Sequence, residues 1–104
     1  MSDIETEDRI ELRNPDTKKK GRRIDPGMYE VLHRTALEVV PKAAPGITLE
    51  EYLDGMATQL PRAKGWDRSA SATWYAMAIK LDLEAKGELK RINNKPPQRL
   101  VRAD

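Results

Sequence analysis

Leu83-Glu84-Ala85-Lys86-Gly87-Glu88-Leu89-Lys90-Arg91 is the stretch on which the reading of this 104-residue chain turns. Upstream of it, apolar residues recur at helical spacing back to Ala72, and Ser69 or Ser71 is placed to cap that helix. Gly87 follows the last helical position, where glycine supplies the positive φ that reverses a chain leaving a helix. Leu83 sits on the core face of the helix, and Leu89 returns to the same core. Downstream, Glu88-Leu89-Lys90-Arg91-Ile92 reads as a strand. Asn93-Asn94-Lys95-Pro96-Pro97 is a turn, and Gln98 to Arg102 is a returning strand.

Two further helices precede the joint. Asp25-Pro26 is an N-cap followed by proline at the first helical position. Tyr29, Leu32, His33, Ala36 and Val40 then follow at helical spacing, so a first helix is expected from about Pro26 to Val40. Pro41 and Pro45-Gly46 end it. Ile47-Thr48 is short and β-branched, and Thr48-Leu49-Glu50-Glu51 has the capping-box pattern. A second helix follows with Leu49, Tyr52, Leu53, Met56, Ala57 and Leu60 on one stripe, until Pro61 stops it. Before the first helix, Arg9 to Arg13 alternates in the manner of a short half-buried strand, Asn14-Pro15-Asp16 is a turn, and Lys18 to Arg23 reads as a solvated basic loop. The expected organisation is an extended N-terminal segment over residues 1–24 and one domain over 25–102.

Helix, short strand, helix, helix and a two-stranded hairpin is the element order of the winged helix-turn-helix fold. The stretch from Leu83 to Arg91 resembles the passage that joins the third helix to the wing there. Ile24-Asp25 with Tyr29, Pro45-Gly46-Ile47-Thr48, Trp74-Tyr75 and Lys80 to Gly87 are similar to a family of small bacterial proteins of unknown function. The resemblance implies a mainly α domain of three helices plus a β-hairpin wing, and no activity. The connection between the second and third helices is longer than the turn of a tight helix-turn-helix.

The third helix carries two apolar stripes. Ala72, Tyr75, Ala76, Ile79 and Leu83 form one, which the glycine joint assigns to the core. Trp74, Met77, Ala78, Leu81 and Ala85 form the other, displaced by two residues, or about 200° around the helix. A groove-reading helix would there present side chains with hydrogen-bonding patterns matched to base edges. Trp74, Met77 and Leu81 are therefore candidate protein-interface residues. The Ile10/Leu12 strand, a second copy in a homodimer, or another protein partner would each cover them. Asp82 and Glu84 read as solvated, with Lys80 pairing Glu84 at i+4. His33 reads as a half-buried packing residue.

The chain has 19 Lys+Arg against 17 Asp+Glu, and the net +2 is strongly segregated. Residues 1–16 carry −4, 17–24 carry +5, 25–60 carry −4 and 61–104 carry +5. Such blocks point to two basic surfaces on an acidic body, and basic surfaces attract polyanions. The candidate phosphate contacts for double-stranded DNA are Arg62, Lys64 and Arg68 before the third helix, and Lys90, Arg91, Lys95 and Arg99 in the wing. With no Cys and one His, thiolate chemistry and a multi-histidine metal site are excluded. No apolar run reaches the length of a bilayer span, and the acidic start is no secretory signal. No cofactor, metal or membrane partner is expected. The expectation is a cytoplasmic, non-enzymatic winged-helix module. It binds DNA through wing and loops, or alternatively serves protein interaction or dimerisation through the outer face of the third helix.

Overall fold

The computed structural model describes residues 10–13, 23–92 and 97–103. It is a mixed α/β domain in which three helices pack on one another and two small antiparallel sheets flank them. Helix α1 (Pro26–Val39) begins where Asp25 accepts hydrogen bonds from the amides of Gly27 and Met28, with Pro26 in the first turn. Helix α2 (Leu49–Gln59) opens on a complete capping box: Thr48 Oγ1 accepts from Glu51 N, and Glu51 accepts from Thr48 N. Pro61 does not end α2 abruptly. The chain tightens into a 3₁₀ turn, Leu60–Arg62, because proline at the start of such a turn surrenders no hydrogen bond. Helix α3 (Ala72–Ala85) is capped by Ser71, whose Oγ accepts from Trp74 N, while Ser69 instead binds the carboxylate of Asp67.

The joint after α3 behaves as its sequence requires. Gly87 has φ +78°, the Glu88 amide donates to Leu83 O at 2.8 Å, and the Gly87 amide donates to Glu84 O at 3.2 Å. These paired bonds are a Schellman closure of the helix. They turn the chain so that Leu83 and Leu89 enter one core, both essentially without solvent exposure.

Strands β3 (Ile47–Thr48), β4 (Leu89–Arg91) and β5 (Arg99–Arg102) form one sheet in the order β3–β5–β4, all antiparallel. Leu100 is the central residue, opposite Ile47 on one side and Arg91 on the other. Gly46 makes the close approach to this sheet possible: a Cβ there would collide with the Leu100 carbonyl oxygen. The second sheet pairs β1 (Ile10–Glu11) with β2 (Arg23–Ile24). The expected strand near Ile10 is thus present, but its partner lies at the end of the segment read as a basic loop. Leu12 and Ile24 are buried in the common core with Leu32, Tyr52, Ile79 and Leu83. Residues 14–22, and with them Lys18 to Arg22, lie outside the described residues. No described helix is long and apolar enough to cross a membrane.

Candidate interaction site

Helix α3 is the element around which the rest is arranged, and its inner stripe is settled by packing. Ala76, Ile79 and Leu83 are fully buried, and Ala72 and Tyr75 pack against them. The buried Tyr52 hydroxyl of α2 donates to the Ala76 carbonyl at 2.7 Å, which satisfies a polar group that burial would otherwise penalise. Burial pushes the ionisation of that hydroxyl up.

Two acids, Asp82 and Glu84, stand on opposite flanks of α3, about 200° apart. Neither is solvated, which corrects the sequence reading. Asp82 is fully buried and accepts three donors: the Arg13 amide at 2.8 Å, the Tyr29 hydroxyl at 2.6 Å and Lys86 Nζ at 3.1 Å. Lys86 also donates to the Tyr29 hydroxyl and lies over its ring. Burial and the Asp82 carboxylate raise the Tyr29 pKa. Burial alone would lower that of Lys86, but its bonds to Tyr29 and Asp82 prevail and raise it. This flank therefore holds the N-terminal segment and α1 against α3. Beside it, His33 stacks on Tyr29 and its Nε2 meets Glu88 Oε1 at 2.7 Å, which ties α1 to the start of β4.

On the other flank, the Glu84 side chain is only 8% exposed. Lys80 Nζ donates to its Oε1 at 3.0 Å, the i+4 pair expected from sequence, and Arg91 of β4 adds bonds of 2.8 and 3.2 Å. Burial would raise the carboxyl pKa, but the Arg91 and Lys80 hydrogen bonds outweigh it and hold it below its ordinary value. Two cations on one carboxylate leave a surplus positive charge on this side. The fork of Arg91 is thereby committed to the β4–α3 contact, with Nη1 also donating to Gln98 at 3.3 Å.

Between the flanks, the outer stripe remains at the surface. Trp74 is 43% exposed, and Met77 and Leu81 are half-buried. The Trp74 ring meets Tyr75 edge-on, and Tyr75 in turn meets Trp66 of the preceding loop. Leu12 enters the core on the Asp82 side instead of closing over Trp74, Met77 and Leu81. Met77, Lys80 and Leu81 line a groove of about 210 Å³ together with Leu49 of α2 and with Arg91, Gln98 and Leu100. Leu49, Trp74 and Ile92 are the exposed large apolar side chains among the described residues, and of these Leu49 lines the groove.

The candidate phosphate contacts are divided. Arg62, Lys64, Arg68 and Lys90 are exposed and form no ion pair among the described residues. Lys64 lines a different, open groove with Glu30 and Arg34 of α1. Arg99 donates from Nη1 to Gly46 O at 3.3 Å and lies 3.8 Å from Glu51. Lys95 lies outside the described residues. So the structure brings Arg91 together with Met77 and Leu81, and sets Lys64 apart from them. Among the described residues no three of His, Cys, Asp or Glu converge as metal ligands would. Sequence reasoning did not find the Tyr29–Asp82–Lys86 group. The i+4 spacing of Asp82 and Lys86 signals their pair, but nothing local links either residue to Tyr29.

A family model described as "Family of unknown function (DUF6958)" matches residues 9–100. No curated protein and no solved structure matches the chain.

Proposed function

Because the chain belongs to a family of unknown function, DUF6958, its membership carries no activity, and we propose from the geometry that it is a non-enzymatic winged-helix module that docks a protein surface on the outer face of α3. The element order and the β3–β5–β4 strand order support the winged-helix reading, with β4 and β5 as the wing. One observation carries the docking reading: the face that a groove-reading helix would turn to base edges presents the exposed Trp74 together with Met77 and Leu81, the last two lining a largely apolar groove. These side chains offer indole and aliphatic surface, with no bidentate donor–acceptor pair for a base. Clustered exposed apolar side chains on a small domain mark a contact surface. The wing's Arg91 and Arg99 support the same reading, since both are already bonded within the domain.

A second reading rests on a different observation. Arg62, Lys64, Arg68 and Lys90 are exposed and unpaired among the described residues, and Glu84 is neutralised by Lys80 and Arg91 so that it no longer opposes a phosphate backbone. Binding of duplex DNA through those four cations would be salt-sensitive and weakly sequence-dependent.

A photo-crosslinking side chain in place of Leu81, activated in the cells that make the protein, separates the two. The docking reading expects adducts of discrete mass that survive nuclease. Nuclease-sensitive adducts reverse the order of the two readings, and the absence of any adduct overturns the docking surface.

A further inference from the structure

We infer that the α3 groove takes an acidic–apolar segment of a partner protein: a large apolar side chain among Leu49, Met77, Leu81 and Leu100, and beside it the carboxylate of an Asp or Glu on Lys80. The inference rests on the docking reading and names the chemistry of the partner. At about 210 Å³ the groove has the size of a side-chain pocket, below the roughly 300–1,000 Å³ of small-molecule sites. A protein segment is the occupant that brings an apolar side chain and a charge to such a pocket together.

The charge of the partner follows from how the wall of the groove is built. Lys80 and Arg91 both line it, and no acid does among the described residues. The two cations converge on one point, since Lys80 Nζ and Arg91 Nε bond the same Glu84 oxygen at 3.0 and 2.8 Å. One carboxylate against two cations leaves a net positive charge there. Arg91 is held from two directions, by Glu84 and by Gln98. Lys80 is not. Its side chain is only 7% exposed, yet among the described residues its ammonium donates to Glu84 alone. An ammonium carries more donors than one acceptor satisfies, and a buried cation short of acceptors is costly. A partner carboxylate would supply acceptors and cancel the surplus charge. A basic partner would meet that charge unfavourably, and a phosphate chain would satisfy Lys80 but leave the apolar walls uncovered.

Selection of binders to the full chain from a displayed library of random peptides is the test, followed by fluorescence anisotropy of the selected peptide. That peptide is expected to carry an acid beside a large apolar residue, and to bind Leu81→Ala less tightly. Exchanging its acid for the matching amide should weaken binding about tenfold, as should Lys80→Met in the protein. The two losses should not add, because each removes the same charge-assisted contact. Arg91 still neutralises Glu84 in Lys80→Met, and circular dichroism verifies that this variant folds. The amide exchange leaves the protein untouched and decides alone if it does not. A peptide held equally well as its amide analogue overturns the carboxylate, as do two losses that add in full. A selection that yields no peptide sensitive to Leu81→Ala overturns the inference too. If position 81 still gives nuclease-resistant adducts in these cases, the docking surface stands and its partner has a different chemistry.

Discussion

The two apolar stripes of α3 share spacing and composition, yet Ala76, Ile79 and Leu83 are fully buried while Trp74 keeps 43% of its surface and Met77 and Leu81 remain half-exposed. Hydrophobicity does not separate them. The separation comes from the flanks. Asp82 draws the N-terminal segment and Tyr29 to one side of the helix, and Glu84 draws β4 to the other. Once both flanks are occupied, each neighbouring element is anchored beside the outer stripe instead of over it. Two buried acids thus define the exposed apolar face, and each is held differently. Asp82 is satisfied by an amide, a hydroxyl and one lysine, whereas Glu84 is satisfied by two cations and leaves positive charge at the groove.

The largest effect should come from the inner stripe. Leu83→Ala removes a fully buried side chain at the point where α3 meets β4. It should cost about 3–4 kcal/mol, within the usual range for leucine truncation in a core, as read by urea unfolding. Asp82→Ala comes next. It strands the Tyr29 hydroxyl, the Arg13 amide and Lys86 together, at about 2–3 kcal/mol; the partly exposed lysine keeps the figure below that of a fully buried pair. Hydrogen exchange should show the Arg13 amide losing protection first, because its acceptor among the described residues is gone. If that amide stays protected, Asp82 is not what fixes the N-terminal flank.

Glu84→Gln probes the other flank more gently, since the amide keeps an acceptor of nearly the same shape. A cost of about 1–2 kcal/mol at pH 7 is expected from weakening charge-assisted hydrogen bonds. Its pH dependence has a definite sign. The folded-state pKa lies below the ordinary carboxylate value of 4.5, so the unfolded chain takes up the proton first as the solution is acidified. The stabilisation from Glu84 is complete above the unfolded pKa and disappears as pH falls through the folded one. The gap between wild type and Glu84→Gln should therefore be widest at neutral pH and close in acid. A gap that stays constant would mean that Lys80 and Arg91 do not hold the carboxylate charged.

Local features of this architecture were legible in the sequence, and long-range ones were not. Asp25 and Thr48 as caps, a serine cap at Ser69 or Ser71, the Lys80–Glu84 pair and the Gly87 reversal all depend on residues within five positions of one another, so spacing alone points to them, and the structure selects Ser71. The strand at Ile10 was readable, but its pairing with Ile24 was not, because the intervening basic run suggested a loop. Asp82 and Glu84 were misread for a related reason. Helical spacing gives an angle around α3 but not which element packs at that angle. Tyr29 reaches Asp82 across 53 positions. For the candidate site, the outer stripe was evident from periodicity alone. That Arg91 would be consumed by Glu84 was not, and this changes the weight of the two functional readings.

The smallest effect is also the one on which the comparison rests. Leu81 stands two residues from Leu83 and is the same amino acid on the other side of the same helix. If the outer stripe is a surface, Leu81→Ala in dilute protein removes only partly buried contacts and should cost under about 1 kcal/mol. Urea unfolding of the two variants side by side compares the stripes directly. The expected result is a midpoint near that of the wild type for Leu81→Ala and far below it for Leu83→Ala. A loss matching that of Leu83→Ala would make both stripes equally part of the core, and α3 would then have no outer face to offer.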